Sequence, residues 1–196
     1  CVLAAVNKNG KALQFADATL QSDKECVLAA VNQNGWAFKY AAGSLQQDTE
    51  IFFAAKKFVL AAVEKDGRSL QYAGDALRSD KEVVLAAVKQ NGLSLEYAGD
   101  TLKSDKKLVL AAVKQNGHAL EFAADTLKQD KEVVLAAVNR RGRTFDYVVK
   151  DAPMWKDKDF VLSMSQLNGW ALQCAGETMK EDKQVVLAAV KKYGDA

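Results

Sequence analysis

Histidine occurs once in these 196 residues, proline once and cysteine three times. The single histidine, His118, cannot make a zinc site without other soft ligands nearby, and the cysteines form no C-x-x-C pair. No metal and no cofactor are therefore expected. Charge of one sign is missing too: Lys and Arg total 27, Asp and Glu 25, for a formal net charge of +2. Such a balance lacks the basic excess through which nucleic-acid binders release counterions. No wholly apolar run exceeds six residues, so no transmembrane helix is expected, and no secretory signal is found. No Ser/His/Asp arrangement and no phosphate-cradling glycine loop can be nominated, so there is no candidate catalytic residue and the chain is not read as an enzyme.

What is present is repetition. Val-Leu-Ala-Ala-Val begins at Val2, Val27, Val59, Val84, Val109, Val134 and Val186, with a degenerate copy, Val-Leu-Ser-Met-Ser, at Val161. The spacings are 25, 32, 25, 25, 25, 27 and 25 residues. A fixed period of this size marks a tandem array, and two short helices fit within it. No segment alternates with period two, and glycine interrupts every unit, which excludes β-structure and coiled coil. The expected fold is all-α: an α-solenoid of short helix-turn-helix repeats in units of roughly 1–22, 23–47, 48–79, 80–104, 105–129, 130–156, 157–181 and 182–196. The first unit starts inside a helix and the last stops after one. The chain is accordingly expected to be part of a longer protein, trimmed, or covered at its ends by a partner.

The unit 80–104 serves as the type repeat. Asp80, like Asp23, Asp48, Asp105, Asp130, Asp157 and Asp182, stands where a helix N-cap would accept from free backbone N–H groups. Glu25, Glu50, Glu82 and Glu132 add negative charge to the first turn, and Lys89, Lys114 and Lys191 add positive charge to the last. Asn-Gly or Asp-Gly then suits a left-handed C-terminal cap. Six apolar residues, Val83 to Val88, run almost right round this first helix, which predicts burial on several sides, with the alanine pair admitting close neighbours. After the glycine, Leu95, Ala98, Gly99 and Leu102 predict a second, shorter helix with one apolar stripe. Ser94, Tyr97 and Thr101 form an adjoining stripe toward the next repeat. Cys1 and Cys26 hold the same place in adjacent repeats, about 10 Å apart for packed helices and too far for a disulfide. They read as core residues, which suits a reducing interior.

The run D-K-E-V-V-L-A-A-V-K-Q-N-G-x-x-L-E-Y-A, clearest at Asp80–Ala98, Asp105–Ala123 and Asp130–Val148, resembles the tandem repeats of domain of unknown function 4116. The resemblance covers essentially the whole chain. It implies long helical arrays, and it carries over no activity, cofactor or catalytic residue.

The places where the array departs from itself are the candidate sites. A seven-residue insertion after Glu50 predicts one long helix from about Asp48 to Asp66, longer than its siblings by about 10 Å. One end must overhang. Phe52 and Phe53 there either anchor another protein or lie under neighbouring loops. Around Pro153 the second helix should end, and Met154, Trp155 and Trp170 mark either a bend or a docking surface. The position after each helix-closing glycine reads Lys11, Trp36, Arg68, Leu93, His118, Arg143 and Trp170. It is either ordinary drift or a diversified recognition edge. Arg140, Arg141 and Arg143 form the one local basic patch, suited to a carboxylate-rich partner or a phosphate, or simply a solvated helix end.

The functional expectation is a non-catalytic protein–protein interaction scaffold or a peripheral subunit of a larger assembly, intracellular and soluble or peripherally attached. The alternative is a nucleic-acid-binding helical repeat module. The balanced charge speaks against it, as does the lack of stacking and amide residues in the variable column.

Overall fold

The computed structural model describes residues 2–138, 144–150 and 152–194. Among these residues there are helices and turns and no strand. The contacts divide the chain into two compact units, Cys1–Gly99 and Asp100–Ala196. The first helices of the repeats are α1 (Val2–Lys8), α2 (Lys24–Gln33), α3 (Thr49–Lys65) and α4 (Lys81–Gln90) in the first unit. In the second they are α5 (Lys106–Gln115), α6 (Lys131–Val138), α7 (Lys158–Leu167) and α8 (Lys183–Gly194). The fold is an all-α helical repeat solenoid, as the period predicts.

Several capping aspartates do two jobs. One oxygen of Asp80 accepts from the backbone N–H groups of Glu82 and Val83 at 3.1 and 3.0 Å. The other accepts from Lys56 Nζ at 2.8 Å, 24 residues back. The same double use recurs at Asp48 with Lys24, at Asp130 with Lys106 and at Asp182 with Lys158. Lys131 and Asp157 pair in the same way. The cap that starts one helix thereby ties it to the previous helix.

This ladder predicts the pH dependence of stability. The lysine beside each holds Asp48, Asp157 and Asp182 below their ordinary value of 3.8. The carboxylates push Lys24 and Lys106 above their ordinary value of 10.5. A lowered carboxylate contributes stability that is complete above its unfolded value and lost as pH falls through the folded one. A raised lysine contributes stability that is complete below its unfolded value and lost as pH rises through the folded one. Thermal midpoints should therefore form a plateau with an acid edge below 3.8 and an alkaline edge above 10.5. In Lys24→Met/Lys158→Met the acid edge should move up toward the ordinary carboxylate value. An edge that stays in place would show that the backbone caps alone depress these carboxyls.

The glycines corrected the expected cap. No residue described here has a positive φ. Asn91, before Gly92, is extended at φ −145°, ψ 108°, and closes α4 while opening the next element. The glycines are required by close approach instead. A Cβ on Gly10, Gly67 or Gly117 would fall on the carbonyl oxygen of Ala30, Ala87 or Ala137 in the next first helix. Only the second alanine of each pair serves this approach. Val83, Val84, Ala87 and Val88 are buried, but Leu85 and Ala86 remain half-exposed. The first helix thus has one open side, which the expectation of burial on several sides missed.

The expected second helix is two pieces. Gly92–Tyr97 is a 3-10 helix, Ala98 is extended at φ −68°, ψ 150°, and Asp100–Lys103 makes a single α-turn. The break leaves the next N–H free to cross to the preceding repeat. Gly99 N donates to Arg78 O at 2.9 Å, Ala42 N to Gln21 O at 2.9 Å and Ala124 N to Lys103 O at 3.0 Å. The apolar stripe survives the break: Leu95, Ala98 and Leu102 are all buried. Ser94 is buried beside Gly67, whereas Thr101 is exposed and does not face a neighbour.

The insertion forms one helix, α3, capped by Asp48 and Asp66. Its two halves serve different neighbours. Asp48 and Glu50 take Lys24 of the preceding repeat, and Lys56 takes Asp80 and Glu82 of the following one. Ile51 and Ala55 occupy the places of Val83 and Ala87, and Val59 and Val63 those of Val84 and Val88; all four are fully buried. Two turns of helix therefore offset the next repeat by about 10 Å along the helix axis.

Near Pro153 the 3-10 helix Thr144–Tyr147 ends and a short one, Pro153–Lys156, replaces the usual turn with proline at its start. In α7, Ser165 stands where Val88 and Val113 stand in other repeats, and its fully buried hydroxyl has no partner. Ser165→Ala removes that hydroxyl without adding volume. It should raise stability by about 1 kcal/mol in urea unfolding. A loss of stability would mean that the hydroxyl is satisfied.

Candidate interaction surfaces

The column after the glycines is built from the backbone upward. The side chain before each glycine accepts from the N–H two residues on, from Asn34 to Trp36 at 3.1 Å, Asp66 to Arg68 at 3.0 Å and Asn116 to His118 at 3.0 Å. A glutamine of the next first helix then clasps the glycine. Gly67 N donates to Gln90 Oε1 at 2.8 Å, and Gln90 Nε2 returns to Lys65 O at 3.4 Å. Gln33 repeats the clasp on Gly10 and Lys8. With its backbone pinned at both ends, the column residue needs no particular side chain, which is why that position varies.

The column does not stand alone. In six repeats the 3-10 helix after the glycine ends in an aromatic residue, Phe15, Tyr40, Tyr72, Tyr97, Phe122 or Tyr147, whereas Gly169–Gln173 ends in Gln173. Trp36 lies edge-on to Tyr72 of the next repeat at 5.9 Å, and His118 edge-on to Tyr147 at 6.0 Å. Phe15 and Tyr72 are exposed, as are Lys11 and Arg68. Leu93 and Trp36 are half-buried. Burial and then the Glu96 carboxylate push the Tyr97 phenol above its ordinary value, and burial and then Glu121 do so at Tyr147. This second row escaped the sequence reading, although an aromatic five residues after six of the helix-closing glycines was the available signal.

The insertion enlarges the edge. In α3, Phe58 takes the place of the clasping glutamine, and its side chain lies where a Cβ on Gly35 would go. Phe58 meets Trp36 edge-on at 5.9 Å and is 37% exposed. Toward the other end of α3, Phe52 is half-buried against Phe38 at 6.0 Å and Phe53 at 5.9 Å, while Phe53 itself is 63% exposed. The structure thus divides the expected pair: Phe52 packs on Phe38 of the preceding repeat, and Phe53 is open to solvent.

Met154 and Trp155 are corrected. Both are buried, at 4% and 1% exposure, and cannot form a docking surface. Trp155 packs on Phe145 and Phe160, with centroids at 6.3 and 5.5 Å, and its indole donates to Val149 O at 3.0 Å. Trp170 is 42% exposed and lines an open pocket of about 660 Å³ with Lys150, Leu172, Gln173 and Lys180. Arg140, Arg141 and Arg143 lie outside the described residues, as does Cys1. Cys26 and Cys174 are free and buried; burial raises both thiols, that of Cys174 to about 11. Among the described residues no cluster of His, Cys, Asp or Glu is placed to hold a metal, and no helix is long and apolar enough to cross a membrane.

No curated protein and no solved structure matches the chain. A family model matches residues 1–46, 56–103, 105–150 and 157–196. The gaps at 47–55 and 151–156 fall on the insertion in α3 and on the proline break, the two places where the repeat departs from itself. With four matches spread over nearly all of its length, the chain belongs to the family described as domain of unknown function (DUF4116).

Proposed function

We propose that this chain is a non-catalytic protein–protein interaction scaffold or peripheral subunit of a larger assembly, gripping its partner along the edge of the 3-10 helices. The observation that carries this reading is a contrast within each repeat. The aspartate caps and most core positions recur from repeat to repeat, while the pinned edge position changes in size and charge from Lys11 to Trp36 to Arg68. At Trp36 the edge gathers three aromatic rings, and large, rigid aromatic side chains are the usual anchors of protein interfaces. Phe53 and Trp170 supply further exposed rings.

The test is recovery of partners from the native source by affinity purification and mass spectrometry. Trp36→Ala/Tyr72→Ala and Phe53→Ala/Trp170→Ala should each lose a partner that the unaltered chain retains. Equal recovery in both variants would sink the assignment. Retention on an oligonucleotide column, lost with added salt, would favour the nucleic-acid module instead.

A further inference from the structure

The open side of the first helices carries a second message. Every copy of the signature places leucine, and all but one place alanine, at the two positions that face outward. Leu60 and Leu85 are half-exposed and Ala61 is exposed, although the edge position a few residues away has drifted through lysine, tryptophan and arginine. Time since duplication therefore does not explain why the outward positions stayed apolar. Between α3 and α4, Leu60, Leu85 and Ala86 line a groove of about 500 Å³, bounded by Glu82 at one end and by Glu64 and Lys89 at the other, with the exposed Ala61 next to Leu60.

The exposed charges on the two helices reverse together. Helix α3 has Lys57 near its middle and Glu64 near its C-terminus; α4 has Glu82 and Lys89 at the corresponding positions. Within one helix these partners are seven residues apart, about 10 Å along the axis, too far to bridge one another. All four are exposed. Glu82 also reaches Lys56 at 2.8 Å, yet its side chain keeps 69% exposure.

We infer that this face is where a second copy of the chain docks, about a two-fold axis running across α3 and α4. That axis sets α3 antiparallel against the other copy's α3, and α4 against its α4. Lys57 of each copy then meets Glu64 of the other, and Glu82 meets Lys89. The leucines enter the facing groove, and Ala61 and Ala86 let the backbones approach. Antiparallel helices also oppose their dipoles. The pattern is self-complementary, as an isologous contact requires. The same positions of α5 hold Lys107 and Lys114, two like charges, so the self-complementary pattern is not repeated there. This surface is separate from the 3-10 edge and does not rest on the function proposed above.

The experiment is analytical ultracentrifugation of the whole chain over a wide concentration range. A reversible dimer is expected. Ala61→Lys changes an exposed helical position with little effect on helix propensity, so thermal unfolding should be unaltered while dimerisation weakens by about a hundredfold. Lys57→Glu should weaken it by about tenfold, and Lys57→Glu/Glu64→Lys should restore it. A role confined to one chain would give no such rescue. A chain that stays monomeric at every concentration overturns the inference. So does a dimer indifferent to these substitutions, or one abolished instead by Val190→Lys on the exposed side of α8.

Discussion

Gly67→Ala is expected to unfold the first unit far more easily than its single added methyl suggests. The backbone at Gly67 is not left-handed, so alanine is conformationally permitted there. The cost is steric and comes from the next repeat. The new Cβ would lie on the carbonyl oxygen of Ala87, 2.9 Å from Ser94 Oγ and 3.0 Å from Gln90 Oε1. A backbone carbonyl inside α4 cannot move without moving the helix, and the Gln90 clasp shares the same space. The expected loss is about 3 kcal/mol, the upper end of the usual range for overpacking. Gly43→Ala provides the control, because nothing lies within 4 Å of its added methyl. That substitution should leave stability unchanged or raise it by about 0.5 kcal/mol through a less flexible unfolded chain. Urea unfolding of the two variants side by side makes the comparison. If Gly67→Asn proved harmless, asparagine being at ease in left-handed backbone, the left-handed cap would have to be reinstated.

This glycine shows where sequence reading succeeds and where it stops. The period, the Asp caps and the place of each glycine follow from local chemistry, and the first helices begin and end where those signals stand. Why glycine is needed depends on a carbonyl 20 residues away, and no local pattern carries that. The ladder between repeats was hidden for a related reason. A carboxylate has two oxygens, and the capping role accounts for only one; the lysine that takes the other lies 24 residues back. Spacings of three and four suit both a 3-10 turn and an α-helix, so the buried stripe of Leu95, Ala98 and Leu102 could not expose the break at Ala98. The long helix was legible because seven residues make about two turns. Its use of one half for each neighbour appears only in the contacts. Among candidate site residues, Phe53, Trp36, Arg68 and Trp170 stand at accessible or half-accessible positions as read, whereas Met154 and Trp155 do not.

Trp155→Ala should be the most destabilising substitution in the second unit. The indole is 1% exposed and sits between the rings of Phe145 and Phe160. The sequence signal was present in those two rings: Phe160 stands at the core position held by Val83 and Val133 in other repeats, and a tryptophan beside it has apolar company on both sides. Beside the proline the bulk of Trp155 fills the space between the 3-10 helix Thr144–Tyr147 and α7. Truncation to alanine opens a cavity that three separate elements would have to collapse to fill, at an expected cost of about 4 kcal/mol. Trp155→Phe should cost only about 1 kcal/mol, since it keeps a ring against Phe145 and Phe160 and loses the bond to Val149 O. Fluorescence separates this role from that of Trp170. Trp155 emission should be blue-shifted and shielded from acrylamide, whereas Trp170, 42% exposed, should be quenched. If Trp155→Ala instead left stability intact and removed a partner, the buried position would be wrong and the docking surface right. A large loss of stability with Trp155→Phe still binding every partner places the residue in the core, where it holds the proline break together.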